Sequence, residues 1–397
     1  MGEPAGALRR DVRLPRGDQG GPAARAGRDA RAHRAAPDGD PAGARRSWTP
    51  HDPATPQGGT GEKVREGLSA VTSLPLVPVL IGPTGVGKTA VAVELATLRP
   101  ITVISADARQ VYRHLDIGTA KPTPEVRAQV PHLGLDLIEP GERYSAGRFA
   151  RDAAAWLAEV RTAGREPLVL GGTGFYVRAL AEGLFREPLL DPARHEQLRG
   201  WAARLAPARA AHWAARLDRG FAGGGRQRAA RAIEVALLTG RALSWWQREA
   251  RETGAMRPWY IHLTLPRDAL RRRIAERVER MLGAGLVAEV AALLARGVPP
   301  DAAGLDGVGY REAVAMLRGD LPADRLAEAI VVATRRYAKR QETWFRHQLR
   351  SPGGGMRDAR SVWVLDAMAS PALLAAQIAE RWAVATHPAS PISHPAS

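Results

Sequence analysis

Residues 77–89, VPVLIGPTGVGKT, leave little freedom in how this part of the chain can fold. Val77–Ile81 is a short apolar run with the length and β-branched content of a strand buried in a parallel sheet. Gly82, Pro83, Thr84, Gly85, Val86, Gly87, Lys88 and Thr89 fit G-x-x-x-x-G-K-[ST], and Ala90–Leu98 reads as a helix. Strand, glycine loop and helix form the context in which that motif is a P-loop. Its glycines let successive backbone N–H groups turn inward as a nest, and the helix N-terminus adds partial positive charge. Lys88 is placed to neutralise phosphate oxygens, and the Thr89 hydroxyl to hold Mg²⁺. We therefore expect an α/β protein, with a P-loop NTPase-like parallel sheet flanked by helices, that binds a di- or triphosphate. The loop alone does not say whether that ligand is a nucleotide.

A second short strand, Ile101–Ile104, ends in Ser105-Ala-Asp107-Ala108-Arg109-Gln110. In a parallel sheet the C-terminal strand ends face the ligand crevice, which puts Asp107 near the phosphates. A carboxylate there can hold Mg²⁺ or accept a proton from a nucleophile, and it can also simply cap a helix. The following loop, Leu115–Pro122, carries a lysine, Lys121, read as free. Ser145 is placed to cap a helix over Ala146–Ala163. A further strand, Leu168–Leu170, runs directly into Gly-Gly-Thr173. An ATPase or kinase often carries an acid at such a strand end, so its absence weighs against nucleotide hydrolysis.

The chain has no cysteine, which excludes disulfides, thiol nucleophiles and Cys-ligated zinc. No apolar run approaches the roughly 18 residues of a membrane span, and the Arg-rich N-terminus lacks the apolar stretch of a secretory signal. A cytoplasmic protein is expected. The net charge is +16, and most of it lies in residues 76–350, with 42 Lys+Arg against 29 Asp+Glu. A polyanionic partner fits that excess, although Arg-rich codon usage would produce it as well. Residues 1–75 are too poor in aromatic and β-branched residues to offset their ordering entropy, and are expected to be disordered. The catalytic core is expected over 76–185 and 258–350. Residues 186–257, rich in Arg, Ala and Trp, form an inserted helical subdomain, and 351–397 a short extension holding a strand, Ser361–Leu365, and a helix, Pro371–Ala383, with a disordered end.

Two helices concentrate basic residues. Arg228 and Arg231 share a face at i,i+3 spacing, which taken alone is the pattern of a solvated basic face. On the last long helix, Ala327–Leu349, Arg336, Lys339 and Arg340 fall on one side, with Tyr337 and Trp344 interleaved. Cations alternating with stackable rings suit phosphates and unpaired bases of RNA.

In order, GPTGVGKT, SADARQVYRHLDIGTAKP, YSAGRF, GGTGFYVRAL, RQRAARAIEV, VGYREA and ATRRYAKRQETWFR resemble the tRNA dimethylallyltransferase (tRNA isopentenyltransferase) family, over about residues 77–349. The resemblance implies transfer of a dimethylallyl group from dimethylallyl diphosphate to N6 of the adenosine just 3′ of the anticodon, position 37, in tRNAs reading codons that start with U. It implies Asp107 as the base near N6, with Lys88, Thr84 and Arg277 at the reacting diphosphate and Mg²⁺ as the ion. It also implies an anticodon stem-loop held by Asp107, Ala108, Arg109, Gln110, Thr173, Arg194, His195, Gln227, Arg228, Ala229, Ala230 and Arg231, beside Arg336, Lys339 and Arg340, with the helical insertion as a tRNA-binding subdomain. A monomer is expected. The chain departs from the family in having Ala108 where the family has Ser, and a glycine run, 223–225, where it has Asn-Asp. The alternatives are the same chemistry on free AMP or ADP, a P-loop small-molecule kinase, and a non-catalytic RNA-binding module. The basic core speaks for RNA over a free nucleotide, and the intact Lys88/Thr89/Asp107 set speaks for an enzyme.

Charge-removing substitutions at Arg336, Lys339 or Arg340 are expected to weaken tRNA binding. Each phosphate left unpaired should flatten the salt dependence by about one unit of slope. Binding of the prenyl diphosphate stays unchanged. Salt titrations of tRNA affinity check this; unaltered affinity at low salt would reduce the basic stripe to a solvated surface.

Overall fold

The computed structural model describes residues 74–185, 191–350 and 362–386, so the expectations for residues 1–73 and 387–397 fall outside the described residues. Its centre is one parallel sheet of six strands in the order β3-β2-β4-β1-β5-β6, where β1 is Leu76–Ile81, β2 Ile101–Ser105, β3 His132–Leu133, β4 Glu166–Gly171, β5 Arg257–Thr264 and β6 Val362–Asp366. β1 lies between β4 and β5, with Ile81 opposite both Gly171 and His262. The chain passes from β1 over to β2 and returns through β4, so the C-terminal ends of β1, β2 and β4 adjoin. That is the edge where α/β sheets bind ligands.

The first four helices in chain order are α1 (Lys88–Leu98), α2 (Pro124–Gln129), α3 (Ala146–Thr162) and α4 (Gly174–Glu182). β1 reads as a continuous apolar run because both its faces are covered. Leu80 points to one face, into a cluster with Val91 and Leu95 of α1 and Leu374, Ile378 and Trp382 of the last helix. Val77, Val79 and Ile81 point to the other, against Phe149 and Leu157 of α3 and Tyr176 and Val177 of α4. α3 starts where its cap predicts: the Ser145 hydroxyl accepts the Arg148 N–H.

After α4 the chain leaves the sheet for α5 (Pro192–Arg204), α6 (Pro207–Leu217), α7 (Arg226–Thr239) and α8 (Leu243–Glu249), and returns at β5. These helices pack small residues, Ala210, Ala214, Ala229 and Ala232, around Ile233 as a separate core. The two crossing segments bond to each other, Glu252 N–H to Leu184 O and Ala255 N–H to Leu180 O, both 2.8 Å.

Beyond β5 come α9 (Arg267–Gly283), α10 (Leu286–Ala295), α11 (Tyr310–Leu317) and the 25-residue α12 (Leu326–Arg350). The segment 362–386, read from sequence as an extension, supplies the sixth strand: β6 pairs with β5 over Tyr260–Thr264. Its helix α13 (Pro371–Thr386) covers α1. Sequence periodicity finds a strand and a helix there, but a pairing partner so far back along the chain leaves no local trace.

One loop residue differs from its expected state. Lys121 is not free: its ammonium is buried and donates to Tyr112 O at 2.7 Å and to the carboxylates of Asp116 and Asp136, both at 2.6 Å. It ties down the loop after β2. Nothing in the local sequence distinguishes a lysine folded inward by two acids from a solvated one.

α12 is anchored by Phe345, which is fully buried against the sheet. Phe345→Ala is expected to cost about 3–5 kcal/mol, measurable by urea unfolding, because a rigid sheet cannot collapse into the void.

Candidate active site

The loop after β1 closes with Gly87 in the left-handed region, φ 107°, as the N-cap of α1. A side chain there would be strained, so glycine is required. No side chain caps α1, leaving its first N–H groups for an anion. The Lys88 ammonium folds back to donate to the carbonyls of Gly82 (3.0 Å) and Pro83 (3.1 Å). Burial lowers its pKa to about 8; Asp107 opposes that shift and Arg277 adds to it. His262, at the end of β5, is driven down to about 4 by burial and by Lys88, so it stands neutral beside the loop at physiological pH.

Asp107 follows β2. Its Oδ1 accepts the Arg109 N–H at 2.8 Å, closing a turn and not a helix. The helix-cap reading thus reduces to a two-residue turn held by one carboxylate oxygen. Across from it the Thr173 hydroxyl, after β4, accepts the Ala108 N–H at 3.0 Å, with the Tyr337 hydroxyl of α12 nearby. Arg277 of α9 reaches in, its pKa drawn down by burial and held up by Asp107.

Two cavities meet at these residues. The first, about 390 Å³, is bounded by the P-loop, Asp107, Gly172 and the α9 residues Arg273, Arg277 and Arg280. The second, about 240 Å³, is bounded by Tyr337, Val278, Met281 and Ile330, with Arg109, Arg311 and Arg340 around it. Asp107, Thr84, Thr119 and Arg277 line both.

The fold thus gathers Thr84, Lys88, Thr89, Asp107, Gln110, Arg277 and, through hydrogen bonds, Thr173. Gln110 is held internally, its amide accepting from Ser105 Oγ and donating to the carbonyls of Thr119 and Ala120. Arg336, Lys339 and Arg340 are exposed on one side of α12, with Arg340 stacked over Tyr337 at 5.6 Å. Arg194, His195 and Gln227–Arg231 lie in the helical insertion and line neither cavity. There Gln227 and Arg228 are exposed, Ala230 half-buried, and Ala229 part of the insertion core. His195 and Arg231 both face the buried Glu234 carboxylate, at 3.4 and 3.6 Å.

Sequence reasoning missed Arg273, Arg280 and Gln341. Arg273 donates to Val86 O at 3.0 Å, bracing the P-loop from outside. Its spacing to Arg277 and Arg280, i,i+4 and i,i+7, marks one helix face and was a usable signal. Gln341 sits between Ala338 and Phe345 on the buried stripe of α12; an amide on an apolar stripe signals a buried partner without naming it.

The site's fit to a divalent cation follows from its donors. Thr89, Asp107 and Glu276 offer hard oxygens around the first cavity. Among the described residues no three or more His, Cys, Asp or Glu are grouped to hold a metal. An ion here would take most of its ligands from phosphate and water, as Mg²⁺ commonly does.

Binding of diphosphate is expected to weaken by about tenfold per pH unit above pH 8, where Lys88 must take up a proton to pair with the anion. Calorimetry from pH 7 to 9.5 checks this. In the free protein the sign for stability is the reverse. The unfolded state holds more protons between pH 8 and 10.5, so stability rises with pH across that window.

The family model for IPP transferase matches residues 110–348, and that for isopentenyl transferase residues 75–131. A tRNA dimethylallyltransferase from Syntrophobacter fumaroxidans is 41% identical over 294 residues, covering 69% of this chain and 81% of the relative. One from Thermomicrobium roseum is 43% identical over 275 residues, covering 68% and 83%. Among solved structures, the tRNA isopentenylpyrophosphate transferase of Bacillus halodurans matches with a TM-score of 0.56 at 31% identity, over 78% of this chain and 96% of that one. A eukaryotic dimethylallyltransferase acting on tRNA shares the fold at 23% identity, with a TM-score of 0.64 over 81% of each chain. With the P-loop, the Asp107 turn and the basic α12 assembled as described, the chain belongs to the IPP transferase family.

Proposed function

We propose that this protein modifies tRNA, transferring a dimethylallyl group from dimethylallyl diphosphate to N6 of the adenosine 3′-adjacent to the anticodon, position 37, in tRNAs reading codons that start with U. The observation that carries the reading is that one carboxylate, Asp107, lines both cavities. The first cavity offers loop amides, Lys88 and Arg277 to a diphosphate. The second offers the Tyr337 ring, apolar walls and flanking arginines to an adenine that has left its stack in the anticodon loop. The exposed cations of α12 continue from that second cavity along the surface, which suits a polyanion over a free nucleotide.

In the reaction the bond between C1 of the prenyl group and the diphosphate oxygen breaks, and its electron pair goes to the diphosphate. Lys88, the loop amides and Arg277 lie where that charge develops. N6 bonds to C1, and its proton passes to the Asp107 oxygen that does not hold the Arg109 turn. Thr173, bonded to the Ala108 N–H, keeps the Asp107 turn in register with the strand end of β4. Thr84 borders both substrates. Thr89 and the diphosphate would hold Mg²⁺, which when bound neutralises charge on the leaving group. Ala108 contributes its backbone N–H to Thr173, a bond indifferent to the loss of the family serine hydroxyl. Arg109 borders the second cavity on the tRNA side, Gln110 lines the first and holds the loop after β2, and Arg194, Gln227 and Arg228 of the insertion extend the contact to the stem-loop. No helix among the described residues is long and apolar enough to cross a membrane. We place the protein in the cytoplasm with its tRNA, as a monomer.

Asp107→Asn tests the assignment. Asparagine keeps an oxygen for the Arg109 N–H, so melting temperature and tRNA affinity are expected to stay nearly constant. Single-turnover prenylation is expected to fall about 10²–10⁴-fold. Rescue by excess Mg²⁺ would instead make Asp107 a metal ligand, and near-normal turnover would remove it as the base.

A further inference from the structure

The loop after Leu115 borders both cavities and is held from behind by two residues that line neither, Glu289 and Tyr310. Three consecutive backbone N–H groups end on this pair. Asp116 and Ile117 donate to Glu289 Oε2 of α10 at 3.0 and 2.9 Å. Gly118 donates to the Tyr310 hydroxyl of α11 at 3.0 Å, and that hydroxyl donates to Glu289 Oε1 at 2.5 Å. Successive N–H groups of a turn aimed at one anion form a nest, filled in this case by the protein's own carboxylate. The seat is tight: Tyr310 is buried, and a Cβ at Gly118 would clash with its ring.

The next two residues face the site. Thr119 lines both cavities and Ala120 the first. Ala120 sits at φ 48°, a left-handed state that a residue other than glycine keeps only where its surroundings hold it. Thr119 O accepts from Gln110 Nε2 at 3.3 Å and from the Arg277 guanidinium at 3.5 Å. Ala120 O accepts from the same Gln110 amide at 3.3 Å. Arg277 itself lines both cavities, beside the bond that breaks in the proposed reaction. The Thr119 carbonyl thus helps to aim Arg277, and Glu289 sets where that carbonyl lies. We propose that Glu289 is a positioning residue for the transfer: by gathering the loop at 116–118 it holds Arg277 where the leaving diphosphate gains charge. The proposal rests on the reading given above and adds to it a residue outside both cavities.

Paired substitutions test it. Single-turnover transfer from dimethylallyl diphosphate to tRNA is measured on the full chain with Mg²⁺. Glu289→Gln keeps the size of the side chain, yet turns an NH₂ group either on the two N–H groups or on the Tyr310 hydroxyl, which already accepts from Gly118. A bond is lost either way. The rate is expected to fall about 10–100-fold, the scale of a small misplacement at a reacting centre. Tyr310→Phe keeps the ring and removes the hydroxyl, and is expected to cost about 3–10-fold. Arg277→Gln is slow in itself. In that background each of the two substitutions is expected to cost no more than about a further twofold, because a residue that acts through Arg277 has nothing left to position. A merely structural role, or one exerted through Gln110, removes the same factor with and without Arg277, which overturns the proposal. An unchanged rate in Glu289→Gln overturns it as well. Tyr310→Phe puts the same question to the same nest, so the outcome does not depend on Glu289→Gln folding. If the wild type transfers no prenyl group to tRNA, the reading of the reaction falls and the role of Glu289 with it. If the wild type is active and the factors multiply, only the role of Glu289 falls.

Discussion

A buried ammonium among backbone carbonyls sets the terms for this molecule. Lys88 is held by Gly82 and Pro83 in a place where its charge is costly, and that cost is the reason an anion is welcome there. The rest of the site is built to keep the arrangement from relaxing. Arg273 holds the loop from outside at Val86, Gln341 holds it at Thr84, and the left-handed Gly87 turns it into α1. In the proposed reaction the cation is preorganised for the leaving group, and little reorganisation is needed as charge appears on it.

α12 runs past both cavities. Its outer side carries Arg336, Lys339 and Arg340 to solvent, and its inner side carries Gln341, Trp344 and Phe345 toward the sheet. Tyr337 lies between, near Thr173 and lining the second cavity. One rigid helix thus spans from the surface to the phosphate loop. The turn at Asp107 and the turn at Thr173 are tied to each other by a hydrogen bond, so the proposed base and the helix that borders its substrate share one frame.

The parts legible in the sequence are those whose chemistry is local. The P-loop shows itself through glycine spacing, β1 through β-branched residues, and α3 through the Ser145 cap. Asp107 is legible as a site residue because the ends of parallel strands face ligands. Other parts depend on partners brought together only by folding. Lys121 reads as free because its partners, Asp116 and Asp136, converge only after the loop folds. Gln341 reads as one polar residue in a motif, since Thr84 is 257 positions away. The place of β6 beside β5 depends on a register that no neighbouring residue encodes. Within the insertion, Arg228 and Arg231 share a face in sequence, yet Arg231 is drawn toward the buried Glu234 while Arg228 stays exposed.

The closing of the sheet by β6 and α13 bears on how the protein comes to be made. The helix that carries the phosphate loop, α1, finishes its core only against Leu374, Ile378 and Trp382. Arg273, which braces the loop, gives a second N–H group to Ala367 O at 3.0 Å. The first helix of the site therefore waits on the ribosome for partners synthesised long after it. Such non-local contacts form slowly, and a nascent chain lacking them exposes the apolar side of α1. The phosphate site is encoded ahead of most of the fold and completed among its last steps of folding, so a chain released before residue 362 holds the entire motif without the scaffold that shapes it.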